Sequence, residues 1–115
     1  MSHLVFVYGS LKRGFYNHYV LEKSSAKYRG PFKTKAEYTM LNLGSFPGVV
    51  QSGSTRITGE VYEVDTLEYL DHLEGYPNFY DRILIDTRWG PTYMYVLLES
   101  VFYKDHDVVE SGKWV

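Results

Sequence analysis

Arg56-Ile57-Thr58-Gly59-Glu60-Val61-Tyr62-Glu63-Val64 runs directly into Asp65-Thr66-Leu67-Glu68-Tyr69-Leu70-Asp71-His72-Leu73-Glu74-Gly75. The first segment alternates: Ile57, Gly59, Val61 and the aromatic Tyr62 stand among polar neighbours, which is the pattern of a strand. The second reads as a helix of about three turns closed by a glycine. Asp65 at the N-cap with Glu68 three residues on has the form of a capping box. Gly75 suits the left-handed position after the last turn, and Pro77 prevents continuation. At roughly 100° per residue Glu74 falls within about 20° of Leu67 and one turn after Leu70. Those leucines must face the core, so a carboxylate faces it too. A lone ionised carboxylate there is costly unless it is partnered or its pKa rises. The negative end of the helix dipole acts in the same direction. Both effects push Glu74 toward the range of a general acid/base.

Other strands lie on either side of this unit. Leu4 to Tyr8 is a β-branched and aromatic run that stops at Gly9. Gly9 to Asn17 reads as a loop, and His18 to Lys23 as a short helix with Val20 and Leu21 inward. Ala26 to Thr34 is ambiguous, a strand interrupted at Gly30-Pro31. Ala36 to Leu43 reads as a strand that buries Tyr38, Met40 and Leu43. Gly44 to Gly48 is a turn, and Gln51 to Thr55 a polar loop. Arg82 to Arg88 and Thr92 to Leu98 form a hairpin joined at Gly90-Pro91. Phe102 and Trp114 anchor an otherwise loop-like tail. The expectation is α+β: about six strands, mostly antiparallel, and one or two short helices, with the strands able to close a small barrel. Residues 1–115 fit one domain.

Composition narrows the function classes. Hydrophobic residues make up 44% and aromatics 17% of 115 residues, enough to bury a core. The 12 tyrosines outnumber the 6 phenylalanines, which suits a polar cavity as well as a barrel wall. Twelve basic and 14 acidic residues are well mixed and give a net charge of −2, which argues against nucleic acid or an anionic membrane as the main partner. With no cysteine there is no disulfide, thiolate nucleophile or cysteine metal site. The four histidines, at 3, 18, 72 and 106, lack metal-ligand spacing, and His72 lies off the core side of its helix. Leu4 to Val7 is too short for a signal-peptide core or a membrane span. A cytoplasmic monomer is the expectation.

Tyr8-Gly9-Ser10-Leu11 ends the first strand. Gly9 can take backbone angles closed to other residues, which lets consecutive N–H groups turn toward one point and bind a carboxylate or oxyanion. A plain tight turn is the alternative reading. Taken with Glu74, the motif is more specific. Val7-Tyr8-Gly9-Ser10-Leu11-Lys12-Arg13-Gly14 with Asn17-His18, then Gly59-Glu60-Val61-Tyr62, then Leu70-Asp71-His72-Leu73-Glu74-Gly75-Tyr76-Pro77 with Tyr80, resemble the gamma-glutamylcyclotransferase-like family. The gamma-glutamylamine cyclotransferase branch is the nearest match, and the resemblance runs from residue 4 to about residue 98.

That resemblance implies a small, mostly antiparallel barrel flanked by short helices, with a pocket at one mouth. It implies that the loop Tyr8 to Leu11 binds the glutamyl part of a substrate and that Glu74 is the acid/base. The implied reaction turns a γ-glutamyl amine or peptide into 5-oxoproline and a free amine. The substrate's own α-amine is the nucleophile, so neither metal nor organic cofactor is required. Ser10, with no Gly-x-Ser-x-Gly elbow around it, is a loop donor. Tyr8 either points its phenol into the cavity or is a buried strand-end tyrosine. Tyr80 is a candidate pocket wall. Arg82 pairs with a substrate carboxylate or, the favoured reading, with Asp81 or Asp86. Asn17 and His18 brace the loop, and Lys12-Arg13 is by default a solvated basic pair. Phe15-Tyr16 and Gly44 to Thr55 are candidate specificity elements. Two rival readings are a non-catalytic binding module for a glutamyl or amino-acid ligand on the same fold, and an interaction protein with a tyrosine-rich surface.

Overall fold

The computed structural model describes residues 2–98 and 107–115. Its elements are β1 (His3–Val7), α1 (His18–Lys23), β2 (Lys27–Lys33), β3 (Tyr38–Asn42), β4 (Pro47–Thr55), β5 (Thr58–Val64), α2 (Glu68–Glu74), β6 (Tyr80–Thr87), β7 (Gly90–Leu97) and β8 (Asp107–Val108). One sheet has the order β2-β5-β1-β7-β6, the other β4-β3-β8. Pairing is antiparallel everywhere except between β1 and β7. The fold is α+β, with more strands than expected, and the described strands form two sheets rather than a closed barrel.

Period-2 alternation makes the three central strands of the larger sheet apolar on both faces. Val5 and Val7 of β1, Val64 of β5 and Tyr95 and Leu97 of β7 join one core cluster, with Leu21 of α1 and Leu70 of α2. Phe6, Val61, Met94 and Val96 point the other way, into a second cluster with Met40 and Val49 of the smaller sheet. The helices thus cover one face of the five-stranded sheet and the second sheet covers the other.

Several local readings need correction. The helix expected from Asp65 starts at Glu68, and its N-cap, Leu67, makes no side-chain cap bond. Thr66 Oγ1, not Asp65, accepts the Glu68 N–H, at 3.1 Å, while the Asp65 N–H donates to the Ser24 carbonyl at 2.9 Å. Tertiary pairing to the end of α1 has drawn Asp65 away from the cap. The C-terminal end follows expectation: Gly75 has φ 67° and ψ 32°, and the Gly75 and Tyr76 N–H groups close on His72 and Asp71.

Gln51 to Thr55 is not a loop but the far end of β4. Register jumps from Thr39↔Val50 to Tyr38↔Thr55, so residues 51–54 bulge outward on an edge strand, where polar side chains meet water. Pro47 and Gly48, expected in the turn, already belong to β4. The interruption at Gly30-Pro31 is a register shift inside β2, not an end to it. Helix α1 matches the expectation, and the β6–β7 hairpin forms, but Arg88 and Trp89 make its turn, while Gly90 and Pro91, expected there, already belong to β7. The tail contributes β8 against β3, and Trp114 packs on the second core cluster. Phe102 lies outside the described residues. Among the described residues no helix is long and apolar enough to cross a membrane.

Candidate active site

A cleft of about 430 Å³ opens where the end of β1, the β3–β4 connection and the end of α2 converge. Tyr8, Gly9, Ser10, Leu11, Glu74 and Tyr80 all line it. Residues far apart in sequence, singled out for separate reasons, therefore share one wall.

The turn after β1 is closed by the Lys12 N–H on the Gly9 carbonyl at 3.0 Å. Among the described residues no backbone acceptor takes the Ser10 or Leu11 N–H, and the cleft reaches both. Oriented, unsatisfied N–H groups of this kind can take an anionic oxygen. The turn is held from behind. Asn17 Nδ2 donates to Ser10 Oγ at 2.9 Å, and the Asn17 N–H to the Ser10 carbonyl at 3.0 Å. His18 Nδ1 lies 2.9 Å from the Leu11 carbonyl, which can only accept, so Nδ1 carries the proton. Gly9 is required for a different reason from the one expected. Its φ is not positive; instead, a Cβ there would lie 2.8 Å from Pro47 Cγ, so the glycine permits close approach of the β3–β4 connection.

Tyr8 and Tyr80 are both buried and both anchored. Tyr8 donates its hydroxyl to the Tyr95 carbonyl at 2.8 Å, and Tyr80 donates to the Pro47 carbonyl at 2.7 Å. Burial, with charge on Glu74 close by, raises both phenol pKa values, so both remain protonated donors.

Glu74 ends α2 with its carboxyl toward the cleft. It has no ion-pair partner among the described residues. Desolvation by the surrounding apolar and aromatic wall pushes its pKa from about 4.5 to about 7. Its neighbour one turn earlier is differently placed. Asp71 Oδ1 accepts the Tyr95 hydroxyl at 2.6 Å and lies 2.9 Å from Arg82 Nε. The guanidinium of Arg82 also stacks on Tyr76, 4.3 Å from its centroid. Arg82 therefore pairs with neither Asp81 nor Asp86, as the sequence suggested; strand-neighbour spacing gave no sight of a partner on α2.

Lys12 also departs from expectation. It is buried, donates from Nζ to the Trp114 carbonyl at 2.6 Å and lies over the Phe15 ring. Desolvation lowers its pKa. Sequence reading passed over Tyr95, Phe79 and Leu73, which also line the cleft. The inward phase of Tyr95 on β7 was available as a signal; Phe79 needed the chain's turn after α2. Tyr16 and Phe46, within the stretches singled out for specificity, do reach the cleft. Among the described residues no group of His, Asp or Glu converges as a metal site requires.

The family model described as gamma-glutamyl cyclotransferase, AIG2-like, matches residues 5–115. The chain belongs to this family. A Vibrio cholerae protein provisionally named a gamma-glutamylcyclotransferase is 43% identical over 116 residues, covering 99% of this chain and 96% of its own. The solution structure of ytfP from Escherichia coli superimposes with a TM-score of 0.77 at 34% identity, over 97% of this chain and 96% of that one. An AIG2-like protein from mouse gives 0.75 at 28% identity, over 90% and 81%. For this member of the gamma-glutamyl cyclotransferase, AIG2-like family, the overall fold is thus a shared one.

Proposed function

We propose that this family member is a cyclotransferase that releases 5-oxoproline and a free amine from a γ-glutamyl amine or γ-glutamyl peptide. The observation that carries the reading is the Glu74 carboxyl, raised by desolvation to a pKa of about 7, lining the same cleft as the Tyr8 to Leu11 turn, whose Ser10 and Leu11 N–H groups have no backbone acceptor among the described residues. The nitrogen of the substrate's α-amine attacks its own γ-carbonyl carbon, closing a five-membered ring, and the amide C–N bond to the leaving amine breaks. The α-ammonium must lose a proton first and the leaving amine must gain one. A single carboxyl that titrates near neutrality serves as base and then as acid, with no net change in its protonation. Ser10 and Leu11 N–H groups hold the glutamyl carboxylate or the developing oxyanion. Tyr8, Gly9 and Tyr80 shape the floor that keeps amine and carbonyl in near-attack geometry. No step draws on a metal or an organic cofactor.

The rivals each meet an opposing observation. A binding module would be favoured by an exposed Glu74 of ordinary pKa, and an interaction protein by a filled mouth without a cavity; neither describes this cleft. The test is a 5-oxoproline release assay on γ-glutamyl-lysine, γ-glutamyl dipeptides and glutathione. The expected result is release by wild type and none by Glu74→Gln. Equal turnover by Glu74→Gln would remove Glu74 from the chemistry. No release, with Glu74→Gln binding a panel member as well as wild type does, would favour the binding module.

A further inference from the structure

Lys12 is a buried lysine that stands outside the cleft and has no carboxylate partner among the described residues. Lysine is almost never fully buried unless its polar end is taken up by a partner. Here Nζ donates to the Trp114 carbonyl at 2.6 Å and lies 4.7 Å from the centroid of the Phe15 ring. The same residue closes the turn after β1. Its N–H donates to the Gly9 carbonyl at 3.0 Å, and its carbonyl accepts the Phe15 N–H at 3.0 Å. Lys12 thus shapes the turn with its backbone and ties it, through its side chain, to a residue 102 positions along the chain.

The segment that receives this tie is fixed along its length. β8 pairs with β3, and the Val109 N–H donates to the Met40 carbonyl at 2.8 Å. The Gly112 carbonyl accepts the N–H of Thr58, the first residue of β5, at 2.8 Å. Gly112 has φ +70° and passes so near the Arg56 carbonyl that a Cβ would collide with it. Trp114 packs on the cluster that contains Phe6 and Tyr8. Residues 107–114 therefore form a strap that runs from the smaller sheet, past the start of β5, to the turn. The turn depends on such outside ties. Its Ser10 and Leu11 N–H groups have no backbone acceptor among the described residues, so no bond within the turn fixes their direction. Asn17 and His18 hold the Ser10 and Leu11 carbonyls from the side of α1, and Lys12 holds the turn from the side of the strap.

We propose, resting on the cyclotransferase reading above, that Lys12 is a positioning residue: its clasp on the 107–114 strap keeps the Ser10 and Leu11 N–H groups directed at the substrate. Without the clasp the turn holds its binding form for only part of the time, and apparent affinity falls by that fraction. The bound complex is the same and Glu74 is untouched, so KM rises while kcat holds.

The experiment measures 5-oxoproline release from the γ-glutamyl compound of the panel above that wild type turns over fastest. Lys12→Met removes the amine and keeps a chain of similar length in the buried site. It should raise KM on the order of 10-fold and leave kcat within about twofold. Gly112→Ala, which pushes the strap off the Arg56 carbonyl, should do the same, and it carries the test if Lys12→Met does not fold. The double variant should be no worse than the poorer single one, because both break one tie. A lowered urea midpoint with unchanged KM would make Lys12 a folding contact alone and overturn the proposal. KM increases that multiply in the double variant would overturn it too. If wild type releases no 5-oxoproline from any compound, the cyclotransferase reading fails, and amide hydrogen exchange decides whether the clasp holds the turn. In the Lys12→Met variant the N–H groups of residue 12 and Asn17, which close the turn on Gly9 and Ser10, should exchange faster on the order of 10-fold beyond any change in β6 and β7. A rise no greater than that of the β6 and β7 amides overturns the clasp.

Discussion

Asp71 and Glu74 stand one turn apart on α2, and their surroundings are opposite. Asp71 is held by a cation and a phenol, Arg82 and Tyr95, which come from the hairpin behind the helix. Glu74 meets a desolvating wall and no cation among the described residues. The same side-chain chemistry thus has two jobs. One carboxylate ties the helix to the sheet; the other is held at a thermodynamic cost and, on the function proposed above, moves a proton. Acid-to-amide substitution, which keeps shape and removes charge, should act in opposite directions at the two sites.

The largest effect is expected on turnover. Glu74→Gln should lower kcat by about 10²- to 10⁴-fold, the span of a lost general acid/base. In wild type kcat/KM should rise with pH on a limb near pH 7, since the carboxyl must be ionised to take the first proton. Measured pH profiles of 5-oxoproline release check both. A limb near pH 4.5 would mean that the carboxyl is hydrated in the working enzyme, and the contrast with Asp71 would lose its functional meaning.

Stability should show the second effect. Glu74 has a folded pKa raised above its unfolded value, so between about pH 4.5 and about pH 7 the folded state binds the extra proton. Stability is therefore full below pH 4.5, falls as pH rises through that window, and is level above it. The raised pKa corresponds to about 3 kcal/mol lost across the window. Glu74→Gln should abolish that slope, leaving the variant more stable than wild type at pH 8 and equal to it near pH 4.5. Urea midpoints at the two pH values are the measurement, and a midpoint at pH 8 no higher than that of wild type would count against a desolvated Glu74.

How much of this contrast was legible in the sequence follows from the range of the interactions. Glu74 was found because helix phase is local: Leu67 and Leu70 fix the inward face, and both are buried. Gly75 was readable for the same reason. Asp71 sits on the same helix, yet its role depends on Arg82 and Tyr95 from strands that fold back over it, and no local pattern points to that meeting. Gly9 was recognised as special, but for dihedral freedom; its need is the proximity of Pro47, a tertiary fact. Lys12 looked solvated because a Lys-Arg pair usually is, and only the returning tail shows the Trp114 carbonyl that receives it. The polar run 51–55 looked like a loop because edge strands and loops share a composition, and pairing with β3 makes the difference.

A third expected effect is smaller and of opposite sign to the second. Asp71→Asn leaves the guanidinium of Arg82 without its counter-charge. Removing one partner of a fully buried ion pair costs several kcal/mol, but here both side chains keep about a fifth of their exposure, so about 2 kcal/mol is expected. The loss should persist at pH 8, where Glu74→Gln gains. A neutral or stabilising result would show that the ion pair does not tie α2 down, and that the two carboxylates differ less than their neighbours suggest.

The smallest change separates the two anchors of Asp71. Tyr95→Phe deletes only the hydroxyl that donates to Asp71 Oδ1 at 2.6 Å; the Arg82 ion pair and the backbone carbonyl that receives Tyr8 are untouched. Burial first, and Asp71 second, hold the Tyr95 phenol well above the ordinary tyrosine pKa, so it remains a donor and its loss should cost stability at pH 8. A hydrogen bond to a charged acceptor contributes about 1.5–3 kcal/mol, and Asp71 can regain part of that from water, so about 1 kcal/mol is expected. Because Tyr95 also lines the cleft beside Glu74, the variant carries a second readout. If the phenol serves Asp71 alone, the acid limb of kcat/KM stays where it was in wild type while the urea midpoint falls. A shifted limb with an unchanged midpoint would instead make Tyr95 part of the environment that tunes Glu74, and would join the anchored carboxylate to the reactive one.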